Sequence, residues 1–149
     1  MSFKKNSIIL CTYNESNYVK ETVEKLQHGI ENLELIVVDD DSSDETRNII
    51  NDSNKDNKIK LIHRKKTRGL ASAFMTGLMH CTGDKIGWID CNMSELIHKF
   101  KEMEASLESG HDIAILSRYI DGGGDKRKPL RALSSKYLNL ICRFFLGSK

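Results

Sequence analysis

Short apolar runs alternate with stretches of helical periodicity along most of the chain. Residues 7–11 (SIILC) are apolar apart from their first position and end at polar Thr12, Tyr13 and Asn14, the pattern of a buried parallel strand. Val19, Val23 and Leu26 then recur at helical spacing, with Gly29 as a stop. Residues 33–38 (LELIVV) predict a second buried strand running into Asp39, Asp40 and Asp41. Ser43 or Asp44 is placed to cap a following helix that carries Ile49 and Ile50. Residues 59–63 alternate as a third strand, and Leu70, Ala73, Phe74, Gly77 and Leu78 mark one face of a helix. Residues 85–89 (KIGWI) predict a fourth strand ending at Asp90. Leu96, Phe100, Met103 and Leu107 predict a helix, and residues 112–116 (DIAIL) a fifth strand. Beyond the glycines at 122–124, residues 133–146 read as helical.

This order predicts an α/β fold, a mostly parallel sheet with helices on both faces. Ligands of such sheets bind beyond the carboxyl ends of the strands. The polar clusters fall there: Tyr13-Asn14-Glu15, the run from Asp39 to Ser42, and Asp90-Cys91-Asn92.

Composition narrows the class. At 149 residues, 39% hydrophobic and 30% charged, with ten glycines and one proline, the chain suits one domain with its own core rather than a fibrous or disordered chain. No apolar stretch approaches the ~18 residues of a membrane span. Four cysteines without CxxC or short Cys/His spacing argue against zinc and against a disulfide framework, so a reduced, cytoplasmic setting is expected. The net charge of +2 hides a division: residues 1–117 carry 15 basic and 19 acidic side chains, and residues 118–149 carry 8 and 2. A whole-chain polyanion binder is not expected, while a local anion site near the C-terminus is. Nucleic acid is an unsuitable partner, because neither a broad basic face nor interleaved aromatics occurs.

Three consecutive aspartates would repel one another if all were buried together, so some must face solvent, hydrogen-bond donors or a cation. An aspartate-rich turn capping the next helix is the alternative. Asp90 and Asn92, at i and i+2 on extended backbone, would point the same way and could share Mg²⁺ or Mn²⁺; an Asx turn is the competing reading. Lys65, Lys66 and Arg68 precede Gly69 ahead of a helix and suit either a phosphate or a solvated loop. The five histidines are scattered, and GxGxxG, GxxxxGK(S/T) and GxSxG are all absent.

The segments SIILCTYNE, LIVVDDDSSDET, RGLASAFMTGL, TGDKIGWIDCN, ILSRYIDGGG and RALSSKYLNLICRFFLG follow one another in this order. Together they resemble the family 2 glycosyltransferases, especially the polyprenol-phosphate (dolichol-phosphate) mannosyltransferase branch. The resemblance implies a glycosyltransferase A-type, Rossmann-like domain over residues 1–149. It implies inverting transfer of a hexose from a nucleotide sugar, GDP-mannose or a UDP-sugar, to a lipid phosphate acceptor such as polyprenol phosphate. By the same resemblance, Thr12, Tyr13, Glu15, Asp40, Arg68 and Asp90 bind the nucleotide sugar, and Asp90, Asn92 and Ser94 hold the metal, Mg²⁺ or Mn²⁺. Asp90 and Arg118 would assist catalysis, and Arg131, Ser135 and Lys136 would meet the acceptor phosphate.

Three departures from the family pattern stand out. Asn92 replaces the second metal aspartate, the stretch after it is shorter by about three residues, and the chain stops at residues 147–149, as if lacking the acceptor part. They keep open a degenerate or truncated, non-catalytic reading, or a fragment completed by a partner. A generic doubly wound binding module explains the alternation but not six ordered motifs. The apolar stripe at 133–146 suits packing on the domain or peripheral contact with the cytoplasmic face of a membrane, and is too short to cross one.

Overall fold

The computed structural model describes residues 5–66, 68–117, 137, 138 and 141. Two compact units divide the chain, residues 1–104 and 105–149.

In the first unit the predicted alternation is realised. Strand β1 (Asn6–Thr12) leads to helix α1 (Val19–Gly29), β2 (Leu33–Asp39), α2 (Thr46–Ser53), β3 (Ile59–His63), α3 (Leu70–Leu78) and β4 (Lys85–Ile89). A 3-10 segment, Cys91–Lys99, follows and passes directly into α4 (Phe100–Glu108). The sheet is parallel in every pairing, with order β3-β2-β1-β4. The chain walks outward from β1 to β3 and returns to the far side of β1 for β4. The topological switch point therefore lies between β1 and β4.

Each face of the sheet buries its own set of side chains, as period-2 alternation requires. Ile8 and Leu10 of β1 with Leu35 and Val37 of β2 pack against Val19, Val23 and Leu26 of α1, Ile50 of α2, and Ile97 of the 3-10 segment. The opposite face buries Ile36 and Val38 against Ala73 of α3. Helix α3 lies close to the sheet because Gly77 has no side chain: a Cβ there would come within 2.6 Å of Ile9 Cγ2. At the amino ends of the strands, the Glu34 carboxylate accepts hydrogen bonds from Lys5 Nζ (2.7 Å), Ser7 Oγ (2.5 Å) and the Thr82 backbone N–H (2.9 Å), tying β2 to β1 and to the turn before β4.

Four expectations change. KIGWI is an edge strand among the described residues, so Ile86 and Trp88 are each 47% exposed on the face that a central strand would bury. Leu70 points outward, while Ala73 and Gly77 carry the buried side of α3. The stripe from Leu96 to Leu107 is split between the 3-10 segment and α4. Residues 112–116 form no strand, and Ile113 and Ile115 are 74% and 80% exposed. Local alternation is compatible with a strand, but only a ladder with a neighbour creates one, and these residues make none. Tyr137, Leu138 and Ile141 are helical, within the helix expected at 133–146. Among the described residues no helix is long and apolar enough to cross a membrane.

Candidate functional site

The carboxyl ends of β1, β2, β3 and β4 bring together Thr12 to Glu15, Asp39 to Ser42, His63 and Arg64, and Asp90 to Asn92. The three consecutive aspartates have three different fates, which is how the chain avoids their mutual repulsion.

Asp39 is fully buried and structural. Its carboxylate accepts hydrogen bonds from Thr12 Oγ1 (2.8 Å), the Ser42 backbone N–H (2.9 Å) and Ser42 Oγ (2.5 Å), and Arg47 Nε lies 3.6 Å away. Asp40 is also buried, but faces Arg64, whose Nε and Nη2 both reach Oδ1 (2.7 and 2.5 Å), while the Gly69 backbone N–H donates to Oδ2 (2.8 Å). Asp41 stands at the rim with a left-handed φ of 61°. His63 Nε2 donates to its Oδ1 at 2.7 Å, and this bond, ahead of the charges of His63, Arg68 and Arg47, holds the Asp41 carboxyl below its ordinary range.

Asn14 stitches the ends of β1 and β2 together. Its backbone N–H donates to Ser42 Oγ (2.9 Å), and its Oδ1 accepts from the Ser43 backbone N–H (2.8 Å). The N-cap position of α2 falls to Glu45, which makes no side-chain cap bond, rather than to the expected Ser43 or Asp44; Asp44 instead braces the turn before the helix. Its Oδ1 accepts from the Thr46 backbone N–H (3.1 Å) and from Thr46 Oγ1 (2.5 Å), and its Oδ2 accepts from the Ser16 backbone N–H (3.1 Å). Burial would raise the Asp44 carboxyl, but the bonds from Thr46 and Ser16 outweigh it and hold the pKa down to about 2. Glu34 behaves alike: burial is outweighed by Lys5, Ser7 and Thr82, again to about 2. Both groups ionise more readily folded than unfolded, so their stabilisation is complete above the ordinary carboxylate range near ~4 and is lost as pH falls from there toward ~2. Urea unfolding at about pH 5 and about pH 2.5 is expected to give a clearly lower midpoint at the acid value, and replacing Asp44 with Asn is expected to shrink that difference.

Tyr13 is half exposed, and the Arg68 guanidinium lies over its ring, 5.1 Å from the centroid, with Nη1 3.3 Å from the phenol oxygen. Arg68 Nη2 is also 3.6 Å from Asp41 Oδ2, so Arg68 links the ends of β1 and β2. Glu15 has its carboxyl pKa raised, by burial first and then by the nearby charges of Asp90 and Asp44. The charge of Asp90 is therefore felt at Glu15. Neither carboxylate has a hydrogen-bonded or ion-paired partner among the described residues. A divalent cation would relieve that repulsion, and oxygen donors are the ligands that Mg²⁺ and Mn²⁺ take.

Asp90 is the last extended residue (φ −84°, ψ 148°), and the 3-10 segment starts immediately after it, the Met93 N–H closing on the Asp90 carbonyl at 3.0 Å. The i, i+2 argument for extended backbone therefore does not apply to Asn92, which is exposed at the start of that segment. Ser94 is engaged elsewhere, donating to Glu21 Oε1 (3.2 Å) and accepting from Lys25 Nζ (3.3 Å), both on α1. Thr22 Oγ1, fully buried on α1, reaches the Cys91 carbonyl at 2.5 Å and fixes the start of the segment. Among the described residues no three His, Cys, Asp and Glu side chains gather as a metal cluster. Burial, with Asp40 next, pushes the Cys11 thiol up to about 11, and burial pushes Cys91 up as well, which disfavours the thiolate at both. Arg118, Arg131, Ser135 and Lys136 lie outside the described residues.

The residues that sequence reasoning passed over are Arg64 and Thr46, while Asn14 and Ser42 were named only as members of the strand-end clusters. The pairing of Asp39 with His63 sets Arg64 beside Asp40, a register no sequence pattern reveals.

A parallel, doubly wound sheet with acidic and aromatic side chains gathered at the carboxyl ends of its strands is the α/β arrangement of a glycosyltransferase A-type domain. Solved structures agree. A mannosyltransferase from Pyrobaculum calidifontis in complex with GDP-Man and Mn²⁺ superposes with a TM-score of 0.54 at 26% identity, covering 60% of this chain and 28% of that one. TarS 1–349 from S. aureus gives 0.61 at 23% identity, over 72% and 33%, and speaks for the fold alone. The description Glycosyl transferase family 2 matches residues 7–148, and the chain belongs to that family. It is 32% identical over 145 residues to the dolichol-phosphate mannosyltransferase of Pyrococcus furiosus, and 30% identical over 149 residues to the polyprenol monophosphomannose synthase of Mycolicibacterium smegmatis. These alignments take in 95% and 94% of this chain but only 41% and 55% of those relatives.

Proposed function

We propose that the chain binds a nucleotide diphosphate sugar, GDP-mannose or a UDP-sugar, in the cleft between β1 and β4. It transfers the hexose with inversion to polyprenol phosphate or a similar lipid phosphate. The observation that carries this reading is the gathering of Tyr13, Glu15, Asp40, Asp41 and Asp90 at the carboxyl ends of β1, β2 and β4 in a family 2 domain.

In this reading Asp40 accepts an N–H of the base, the Tyr13 ring offers it an apolar face, and Thr12 helps to hold the base-binding segment. Arg68, between Tyr13 and Asp41, is within reach of the ribose or phosphates. Asp90 and Asn92 would hold Mg²⁺ or Mn²⁺, which when bound offsets charge on the departing nucleoside diphosphate. Ser94 joins them only by leaving Glu21 and Lys25. Arg118 would assist at the phosphates, and Arg131, Ser135 and Lys136 would bind the acceptor phosphate. A phosphate monoester has a second pKa near ~6, so it arrives largely as the dianion and needs no strong base. An acceptor carried on a lipid puts the reaction at a membrane surface, on the cytoplasmic side.

Asn92 favours a second reading, a nucleotide-sugar-fold protein that binds without catalysing, because a neutral amide oxygen pulls less on a dication than a carboxylate. Incubating the chain with labelled GDP-mannose or UDP-glucose, polyprenol phosphate and Mn²⁺ or Mg²⁺ separates the two. Labelled lipid that disappears with chelator is expected; nucleotide binding with no transfer from either donor would favour the non-catalytic reading.

A further inference from the structure

Among the described residues, four that are not glycine have a left-handed φ: Asn14 (55°), Asn32 (50°), Asp41 (61°) and Asn57 (52°). Three are asparagine, whose short polar side chain tolerates this backbone. Asp41 alone brings a charge to such a position, and it does so as the third aspartate in a row. A residue held in a sparsely populated conformation points to a role that offsets its cost.

The contacts of Asp41 show what that role is. Its Oδ1 accepts from His63 Nε2 at 2.7 Å, and Arg47 Nη1 lies 3.0 Å from both ring nitrogens of His63. Its Oδ2 lies 3.6 Å from Arg68 Nη2. Arg68 in turn covers the Tyr13 ring, with Cζ 5.1 Å from the centroid and Nη1 3.3 Å from the phenol oxygen. One carboxylate, anchored by the last residue of β3, thus keeps a guanidinium over the aromatic ring that follows β1. All of this is within reach of solvent: the side chains of Asp41 and Arg68 are 37% and 57% exposed. Exposed ion pairs and cation–π contacts hold weakly, so an anion approaching Arg68 can displace Asp41.

We propose that Asp41 is a built-in competitor for Arg68: it holds the guanidinium against Tyr13, and a diphosphate bound in the cleft must take Arg68 from it. The exchange also uncovers the ring face over which Arg68 lies. Asp41 is thereby a brake on anion binding, a single carboxylate placed where glycine would suit the backbone better. The inference rests on the nucleotide-sugar reading and adds a contact within the protein that opposes the ligand.

The test is a double-mutant cycle read by titration calorimetry. Wild type, Asp41→Gly, Arg68→Ala and the double variant are each titrated with inorganic pyrophosphate, GDP and UDP in Mn²⁺. Asp41→Gly is expected to tighten pyrophosphate, and whichever nucleotide the wild type binds, by about threefold. Its thermal midpoint should stay level or rise, because glycine takes a left-handed φ without strain. In the Arg68→Ala background the same change should bring no gain. Asp41→Asn keeps an acceptor for His63 and suits the backbone as the three asparagines do. It should reproduce the gain, and it carries the test if Asp41→Gly fails to fold by circular dichroism. Unchanged or weaker binding in the folded Asp41 variant would overturn the proposal. So would an equal gain with and without Arg68, which is what general repulsion between a carboxylate and a diphosphate produces. Absence of binding by every ligand to the wild type and to the variants would instead sink the nucleotide-sugar reading, and this inference with it.

Discussion

Replacing Asp90 with alanine is expected to abolish metal-dependent binding of a nucleoside diphosphate without unfolding the protein. Asp90 is partly exposed at the end of β4, and its backbone is fixed by the turn that Met93 closes rather than by its own side chain. Among the described residues its carboxylate makes no hydrogen bond or ion pair, and its charge helps to push up the Glu15 carboxyl. A charged contact of this kind is worth up to about 3 kcal/mol, so in Mn²⁺ the Kd for GDP or UDP should rise by roughly a hundredfold. Without metal the variant should bind no worse than the wild type, since a carboxylate facing a diphosphate only repels it. Two further readings check the cause. The thermal midpoint should stay level or rise, and the Glu15 carboxyl, followed by NMR, should titrate closer to its ordinary value. A large drop in the thermal midpoint would assign Asp90 to the fold instead.

Asp39 should give the opposite result. Asp39→Ala removes the acceptor for the Thr12 hydroxyl and for the N–H and hydroxyl of Ser42, and leaves Arg47 without the carboxylate 3.6 Å from its Nε. Breaking a buried network by deleting one charged partner costs about 3–5 kcal/mol, against a typical total stability of about 5–15 kcal/mol. The urea midpoint should fall steeply, and any loss of ligand binding should follow the loss of folded protein. Asp39→Asn, which keeps one acceptor oxygen, should recover part of the loss. Asp39 should thus differ in kind from Asp41, whose replacement by alanine at the rim should barely move the midpoint.

The elements were largely legible because each buried strand is a run of β-branched and aliphatic residues and each helix carries its stripe at i, i+3 and i+4. What could not be read was partnership. KIGWI looks as buried as LELIVV, yet only β2 has a neighbour on each side. DIAIL has the composition of a strand and makes no ladder. The site followed the same division. The clusters at strand ends were legible because a parallel sheet sends its polar residues there. The sorting of Asp39, Asp40 and Asp41 depended on Ser42, Arg64 and His63, which the chain brings up from the same turn and from the end of β3. Asn92 was expected to line up with Asp90 as if on a strand, and Ser94 to join them by the family resemblance. The 3-10 turn instead leaves Asn92 exposed and Ser94 on Glu21 and Lys25 of α1.

The central claim is that this cleft holds a nucleoside diphosphate with a divalent cation. Isothermal titration of the wild-type chain with GDP and with UDP, each with Mn²⁺ and with chelator, tests it most directly. Saturable binding of at least one nucleotide that weakens markedly on chelation is the predicted result. Absence of binding by both nucleotides, with metal and without, would contradict it.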